Sequence, residues 1–506
     1  MGACLWESAA LFMKRLLWAL TLGVLVLYVA SAALALLVPE LLETGEPALV
    51  TAAFRAAEGE SLYGSVEQPP FLHHNYTPLG SWLQAPLIAC TGPDFLPGRL
   101  VALVAVVLVL ALVWRALRSD GVPRWAAIGG AATFVSGGVA FPWLFVGRVD
   151  MPALALSFAA FFVVTSSTLN RWRMVLFLAL ALAAWMTKQT AASGAVAGLL
   201  VLLLRGRVSL AVVLGLAWLA LVSMVILWLN AATSGGFWRH AVTFNAGHSR
   251  DGFGADSIGF SDVLVAVGPV LLGLGGIGLG VLRAAVLQRW GVYLLVALCM
   301  GVVGLSKSGS HVHHLLETCA VLAVLAGHGW MALERTLEKR PLVVLCTVSV
   351  LLVLGVWSVR EGAWQKLKHL HWLATRESPV PSAVLDTLGE SEAAVLCLGK
   401  SSSLAIESHR EAWLDIADWR RLEQMGEVRA ETALLPLIRA GHFALIAVPE
   451  YPLGHPAEPL FNPLRVAGFQ SALEASYELM RDVGGNPLRM DDPKSRHSAT
   501  FWRRKA

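Results

Sequence analysis

Eleven apolar stretches, nearly free of charge, recur between residues 16 and 358 of this 506-residue chain, and they constrain its fold more than any other feature. A span of the hydrocarbon core needs about 20 apolar residues, and inside lipid every backbone amide must be paired within its own helix. The stretches therefore predict membrane helices at roughly 16–38, 98–117, 125–146, 152–169, 174–187, 190–204, 209–229, 260–282, 291–306, 315–334 and 341–358. Composition agrees. Only 15% of the residues are charged and 56% are hydrophobic, against roughly 25% charged in soluble domains. In so apolar a chain the net charge of +4 carries no implication of nucleic-acid binding; what matters is where the positive residues lie. Residues 11–38 are apolar apart from Lys14 and Arg15 and read as an uncleaved signal anchor.

The loops on one side hold Lys14 and Arg15; Arg115, Arg118 and Arg124; Arg171 and Arg173; Arg205 and Arg207; Arg283 and Arg289; Arg335, Lys339 and Arg340. Basic loops are retained in the cytoplasm, so the N-terminus is expected there and the C-terminal portion outside. Residues 174–204 test the assignment. Read as one helix they would invert every later loop; read as two short limbs they keep every loop basic. Limbs of about 14 residues rise only about 21 Å against a core of about 30 Å. The turn carrying Lys188 should then dip below the outer membrane surface.

The outward segments are 39–97, 147–151, 187–190, 230–259, 307–314 and 359–506. In the last of them, 393–398 and 444–448 read as short buried strands, with helices at 419–425 and 431–439, a βαβ-like unit without a Gly-rich phosphate loop. The expected fold class is an α-helical polytopic membrane protein of about eleven transmembrane helices, with a small soluble α/β C-terminal domain. Its domains are a membrane part over 1–358, including a first extracytoplasmic loop at 39–97, and an extracytoplasmic part over 359–506.

Several outward residues can carry chemistry. Glu46-Pro47 opens a predicted helix over 47–57, with Val50, Phe54 and Ala57 on one face. A carboxylate at a helix start is stabilised as an anion, which suits a general base, although a plain helix-start acid has the same pattern. Arg148 and Asp150 share the turn Gly147-Arg-Val-Asp-Met, as an interfacial ion pair or as part of a site. Lys188 is a candidate because charge at membrane depth is costly, and a cation at the rim of an apolar cleft can hold a phosphate leaving group. In Lys307-Ser-Gly-Ser-His-Val-His-His-Leu-Leu-Glu317, His313 and Glu317 fall four apart on one helix face. That spacing can bind a metal, but phosphate binding or capping is the preferred reading. The aromatic residues of 237–256 read as interface anchors, followed by a mobile acceptor loop. The six cysteines show no CxxC and no metal-ligand spacing, so neither a disulfide framework nor a thiolate zinc site is expected.

In order along the chain, Glu46 is followed by Ala57-Glu-Gly-Glu-Ser-Leu-Tyr63, Asn75-Tyr-Thr-Pro-Leu79, Gly98-Arg-Leu100, Gly147-Arg-Val-Asp-Met-Pro-Ala153, Thr187-Lys-Gln-Thr190 and Gly309-Ser-His-Val-His-His-Leu-Leu-Glu317. Together these resemble GT-C-fold glycosyltransferases of the dolichyl-phosphate-mannose-protein mannosyltransferase and aminoarabinose transferase type. The bacterial family 39-like enzymes are the nearer resemblance, over roughly 15–450. The resemblance implies Glu46 as base, with Glu43 in reserve. It implies a donor phosphate held by Lys188 with Arg148, Lys307 and His313, and Asp150, Glu317 and Tyr76 in support. Two departures stand out: Gly-Glu-Pro where the family commonly has Asp or Asp-Glu, and histidines where its late segment reads Gly-Ser-Asn-x-Asn-Tyr.

The expected function is therefore transfer of a sugar from a polyprenyl-phosphate donor to a glycan, lipid or protein acceptor at the extracytoplasmic face of the inner membrane, with inversion. No metal ligands are assigned, and the cofactor is left open, a divalent cation being the candidate. A transporter is the main alternative, predicting mid-membrane charges and internal repeats. A non-catalytic envelope-assembly factor that keeps the architecture is the other, and it would tolerate Glu46→Gln.

Overall fold

The structure, a computed structural model, describes residues 2–43, 45–135, 140–166, 168–246, 267–306, 311–337, 339–375, 380–390, 393–398, 402–410, 413, 430–450, 468–492 and 497–505. Eleven helices fall on the eleven apolar stretches: α1 (Gly2–Leu37), α2 (Leu96–Ser119), α3 (Arg124–Val135), α4 (Asp150–Val164), α5 (Arg171–Thr187), α6 (Ser193–Leu204), α7 (Val208–Ala232), α8 (Pro269–Val281), α9 (Ala284–Leu305), α10 (Leu316–Leu337) and α11 (Pro341–Val359). Six of the described helices, those containing α1, α2, α7, α9, α10 and α11, are long and apolar enough to cross a membrane. The chain is a multi-pass membrane protein. The other five run only 12, 15, 17, 12 and 13 residues. In the stretch 125–146, Arg124–Val135 and Ala140–Trp143 are helical, and Leu144–Val149 bends into a turn.

Two short limbs do replace one helix over 174–204. Asn170 caps α5, its side chain accepting from the Arg173 amide at 3.0 Å, and α5 stops at Thr187 where Lys188 turns extended. Residues 188–192 form the turn before α6 begins at Ser193.

The described chain divides into two compact units. The first comprises Met1–Leu37, Arg99–Val225 and His248–Trp372; the second, Val38–Gly98, Ile226–Gly247 and Leu373–Ala506. In the first, α10 is the central helix. Of its apolar window 89% is buried, against 17% for α7. Lipid supplies no hydrophobic drive between helices, so close backbone approach has to hold them. Gly278 of α8 sits where a Cβ would lie 1.8 Å from the Leu325 carbonyl oxygen, and Gly329 of α10 where one would lie 2.1 Å from that of Leu274. On another face of α10, a Cβ on Gly130 of α3 would meet the Gly327 Cα at 2.8 Å.

The second unit is built on a five-stranded sheet of β1 (Val395–Cys397), β2 (Leu445–Glu450), β3 (Tyr477–Leu479), β4 (Arg489–Asp492) and β5 (His497–Arg504). The order is β1-β2-β5-β3, with β4 also on β5. β1 and β2 are parallel, Val395 opposite Leu445, while β5 is antiparallel to its neighbours. Side chains alternate across a strand, and both faces here are covered. Val395, Cys397, Leu445 and Ala447 enter one cluster with Val50 and Ala53 of the helix Glu46–Ala57. Leu396, Leu398, Ile446 and Val448 enter the other with Val66, Phe71 and Phe244. Burial on both faces explains the continuous apolar runs of β1 and β2. β3, β4 and β5 were not expected from the sequence, since their residues are largely polar or charged. The predicted helix 431–439 is present as Ala430–Ala433 and Leu435–Arg439, whereas 419–425 lies outside the described residues.

The segment 236–244 corrects one expectation. Phe237 and Phe244 are each 1% exposed, and Phe237 packs edge-on against Tyr63 with centroids 5.2 Å apart. They are core residues of the second unit rather than interface anchors, because the chain turns as a π-helix over Arg239–Phe244 and buries that face. The proposed acceptor loop after it lies outside the described residues.

Candidate functional site

Three of the residues singled out in the sequence converge on the carboxylate of a fourth, Asp150, in the first unit. Asp150 is the first residue of α4, a position that favours an acid. Its Oδ1 accepts a hydrogen bond from Lys188 Nζ at 2.5 Å, and its Oδ2 one from Arg148 Nε at 3.1 Å. His313 Nε2 lies 3.7 Å from Oδ1. All four are placed by element ends: Arg148 by the turn before α4, Asp150 by the start of α4, Lys188 by the end of α5, and His313 by the 3-10 turn Val312–Leu315 that leads into α10. Asp150, Lys188 and His313 are buried. The Arg148 guanidinium stacks on Trp143, 5.4 Å from the ring centroid, and the His313 ring lies 4.6 Å from the same indole. Nδ1 of His313 is buried with no hydrogen-bond partner.

Glu317 lies one helical turn beyond His313. Its Oε1 accepts from Ser157 Oγ at 2.7 Å and from the Tyr293 hydroxyl at 2.6 Å. Ser157 in turn accepts the Gly194 amide at 2.9 Å. This approach requires glycine, because a Cβ at 194 would lie 2.0 Å from the Ser157 carbonyl oxygen. Asp150, Lys188, Thr190, Ser193, His313 and Glu317 line one cleft of about 50 Å³. At roughly 10–15 Å³ of such volume per water, it holds a few waters or one tetrahedral anion.

The cleft does not suit a metal ion. Among the described residues no three His, Cys, Asp or Glu side chains converge as a ligand set, and the carboxylate nearest His313 is already bound by Lys188 and Arg148. The two cations on Asp150 repel a third, and Glu317, the other acid lining the cleft, already accepts the Ser157 and Tyr293 hydroxyls.

Glu46, Glu43 and Tyr76 belong to the second unit. Glu46 opens the helix Glu46–Ala57 with Pro47 behind it, is 1% exposed, and accepts the Leu42 amide at 2.7 Å through Oε2. Glu43 is partly buried and accepts the Gly45 amide at 2.8 Å. The Tyr76 carbonyl accepts the Tyr63 hydroxyl at 2.9 Å. Lys307 lies outside the described residues.

No protein-family model and no curated protein matches the sequence. Solved structures do. The crystal structure of ArnT from Cupriavidus metallidurans bound to undecaprenyl phosphate aligns with a TM-score of 0.63 at 11% identity, covering 95% of this chain and 98% of that one. The chain has the GT-C fold. ArnT in the apo state aligns at 0.60 and 12% identity over the same shares. The archaeal oligosaccharyltransferase AglB from Archaeoglobus fulgidus, in complex with an inhibitory peptide and a dolichol-phosphate, aligns at 0.48 and 10% identity over 84% of this chain and 69% of that one.

In this GT-C chain, sequence reasoning missed Trp143, Ser157, Gly194 and Tyr293. Trp143 lies in an apolar stretch, where an indole reads as an interface anchor. Ser157 and Gly194 are small residues within spans, and nothing local distinguishes the pair that touches. Tyr293 left a usable signal, a phenol hydroxyl within a helix where backbone groups offer it no partner.

Proposed function

We propose that this protein is a membrane glycosyltransferase that moves a sugar from a polyprenyl-phosphate donor to an acceptor at the extracytoplasmic face, with inversion. The observation that carries the reading is the buried cluster of Lys188, Arg148 and His313 around Asp150, at helix ends in a fold shared with ArnT, which was solved bound to undecaprenyl phosphate. Asp150 balances one of the two permanent cations and fixes the geometry of both, so a phosphate meets donors that need no reorganisation. Fixed cations out of bulk water stabilise developing charge strongly.

In the reaction, an acceptor oxygen or nitrogen forms a bond to the anomeric carbon as the bond from that carbon to the phosphate oxygen breaks. The electron pair leaves with the lipid phosphate, where Lys188 and Arg148 offset the growing negative charge. Glu46 takes the acceptor's proton, with Glu43 the reserve base. A single displacement inverts the anomeric centre. The basic loops put the N-terminus in the cytoplasm and residues 359–506 outside, in a cell inner membrane.

The test is purified protein in nanodiscs with a panel of radiolabelled polyprenyl-phosphate sugars, scored for transfer and for release of lipid phosphate. Wild type is compared with Glu46→Gln, Lys188→Ala and Lys188→Arg, each checked for unchanged elution and thermal midpoint. Turnover in wild type is expected, with at least a hundredfold loss in Glu46→Gln and Lys188→Ala and partial retention in Lys188→Arg. A folded wild type that turns over no donor rejects the enzyme reading. Turnover surviving Glu46→Gln keeps the enzyme and moves the base to Glu43.

A further inference from the structure

The first unit holds a second, much larger cleft, of about 1100 Å³, at the opposite end of the same helices. Arg115, Arg118, Arg124, Arg173, Arg205 and Arg289 line it, against the single carboxylate of Asp120. Arg173 stands near the start of α5, whose other end carries Lys188. Fifteen residues of helix put on the order of 22 Å between them, so this cleft is distinct from the Asp150 cluster.

Its one acid is fully engaged. Asp120 accepts from Arg289 Nη1 at 3.2 Å and from Trp290 Nε1 at 2.6 Å. Arg118, Arg205 and Arg173 each donate to a neutral oxygen, that of Val122, Thr165 and Ser166 respectively. No hydrogen bond or ion pair forms on the side chains of Arg115 or Arg124 among the described residues. Arg289 is only 8% exposed, and its Nη2 is buried without a partner. A buried guanidinium nitrogen left unpaired is costly, and five uncompensated positive charges around one space repel one another. Both penalties fall when an anion enters. The rim also carries Trp114 and Ile128, apolar side chains left 38% and 46% exposed.

We propose that this cleft binds the phosphodiester headgroup of an anionic glycerophospholipid, with the acyl chains lying along the flank of Trp114 and Ile128. Guanidinium groups match phosphate oxygens bidentately, and basic pockets between membrane helices are suited to such headgroups. The role does not depend on the sugar-transfer reading.

Full-length protein in detergent is titrated with dioleoylphosphatidylglycerol, dioleoylphosphatidylcholine or inorganic pyrophosphate, reading the thermal midpoint and lipid retention by native mass spectrometry. Phosphatidylglycerol is expected to raise the midpoint by several degrees and remain bound, and phosphatidylcholine to do neither. Arg115→Gln/Arg124→Gln removes no hydrogen bond or ion pair among the described residues and relieves part of the repulsion, so its basal midpoint should hold or rise while the lipid shift is lost. If the double variant lowers the basal midpoint, the single variants are scored in its place. Arg340→Gln, a loop arginine outside the cleft, should behave as wild type. An equal response to phosphatidylcholine overturns the proposal, as does a shift that survives the cleft variants or is lost equally in Arg340→Gln. Pyrophosphate reproducing the full shift without lipid assigns the cleft to a soluble anion and overturns the lipid.

Discussion

Asp150 is shared by three basic side chains, so the energetics of its cluster are coupled rather than pairwise. Removing one partner from a buried ion pair costs about 3–5 kcal/mol, chiefly because the other charge stays buried. Here Arg148 remains on Oδ2 when Lys188 is lost, so Lys188→Met should fall at or below the low end of that range. Pairing it with Asp150→Asn should recover much of the loss. A thermal double-mutant cycle in detergent measures this, and strict additivity of the two single effects would show that they do not interact. Glu317 allows a cleaner single change. Tyr293→Phe deletes one of the hydroxyls it accepts, leaving those of Ser157 and Ser193, and should cost about 1 kcal/mol, visible as a modest fall in midpoint.

Among the elements, the contacts of α10 with α8 and of α6 with α4 depend on glycine in place of side-chain interdigitation. Gly278→Val would force the α8 and α10 backbones apart at the Leu325 carbonyl. Overpacking of a tight contact costs about 1–3 kcal/mol and sometimes more. Loss of the folded monomer peak on size exclusion is the expected result, whereas the same change at Gly276, which faces open space, should be tolerated. Gly194→Ala acts on function as well as packing. It pushes α6 from Ser157, which bonds Glu317 in the cleft, so donor retention should fall further than the thermal midpoint would account for.

For the molecule as a whole, pH acts most visibly on the second unit through its buried histidines. His74 accepts no proton easily. Burial, then the neighbouring His240 and His73, hold its pKa down at about 3. Burial and His73 hold that of His240 at about 4, although its ring bonds the Gly64 carbonyl at 2.8 Å. Both values are depressed below the unfolded 6.5, so the unfolded chain binds protons first as pH falls. The stability these neutral rings contribute is complete above about pH 6.5 and declines as pH drops toward 4 and then 3. Hydrogen exchange of peptides covering 60–76 and 236–246 should accelerate between pH 6 and 4. His74→Phe should flatten that dependence, and an unchanged profile in the variant would remove His74 from the account.

The sequence by itself determined the membrane class, the eleven helices and the short limbs around Lys188, because lipid leaves a backbone few choices and apolar length reports them directly. It also marked Arg148, Asp150, Lys188, His313 and Glu317 one at a time, since charge near membrane depth is conspicuous against an apolar background. Tertiary structure decided that Asp150, Lys188, His313 and Glu317 line one cleft, with Arg148 bound to Asp150 beside it, because packing of the helix ends joins positions far apart in the chain, as between Asp150 and His313. It alone decided that 38–98 and 226–247 fold with 373–506. The strands β1 and β2 need cover on both faces, and no local pattern says which distant segment supplies it. The arginine cleft follows the same logic. Each arginine reads in sequence as an ordinary basic loop residue, and only the packing of the helix ends gathers six of them around one space.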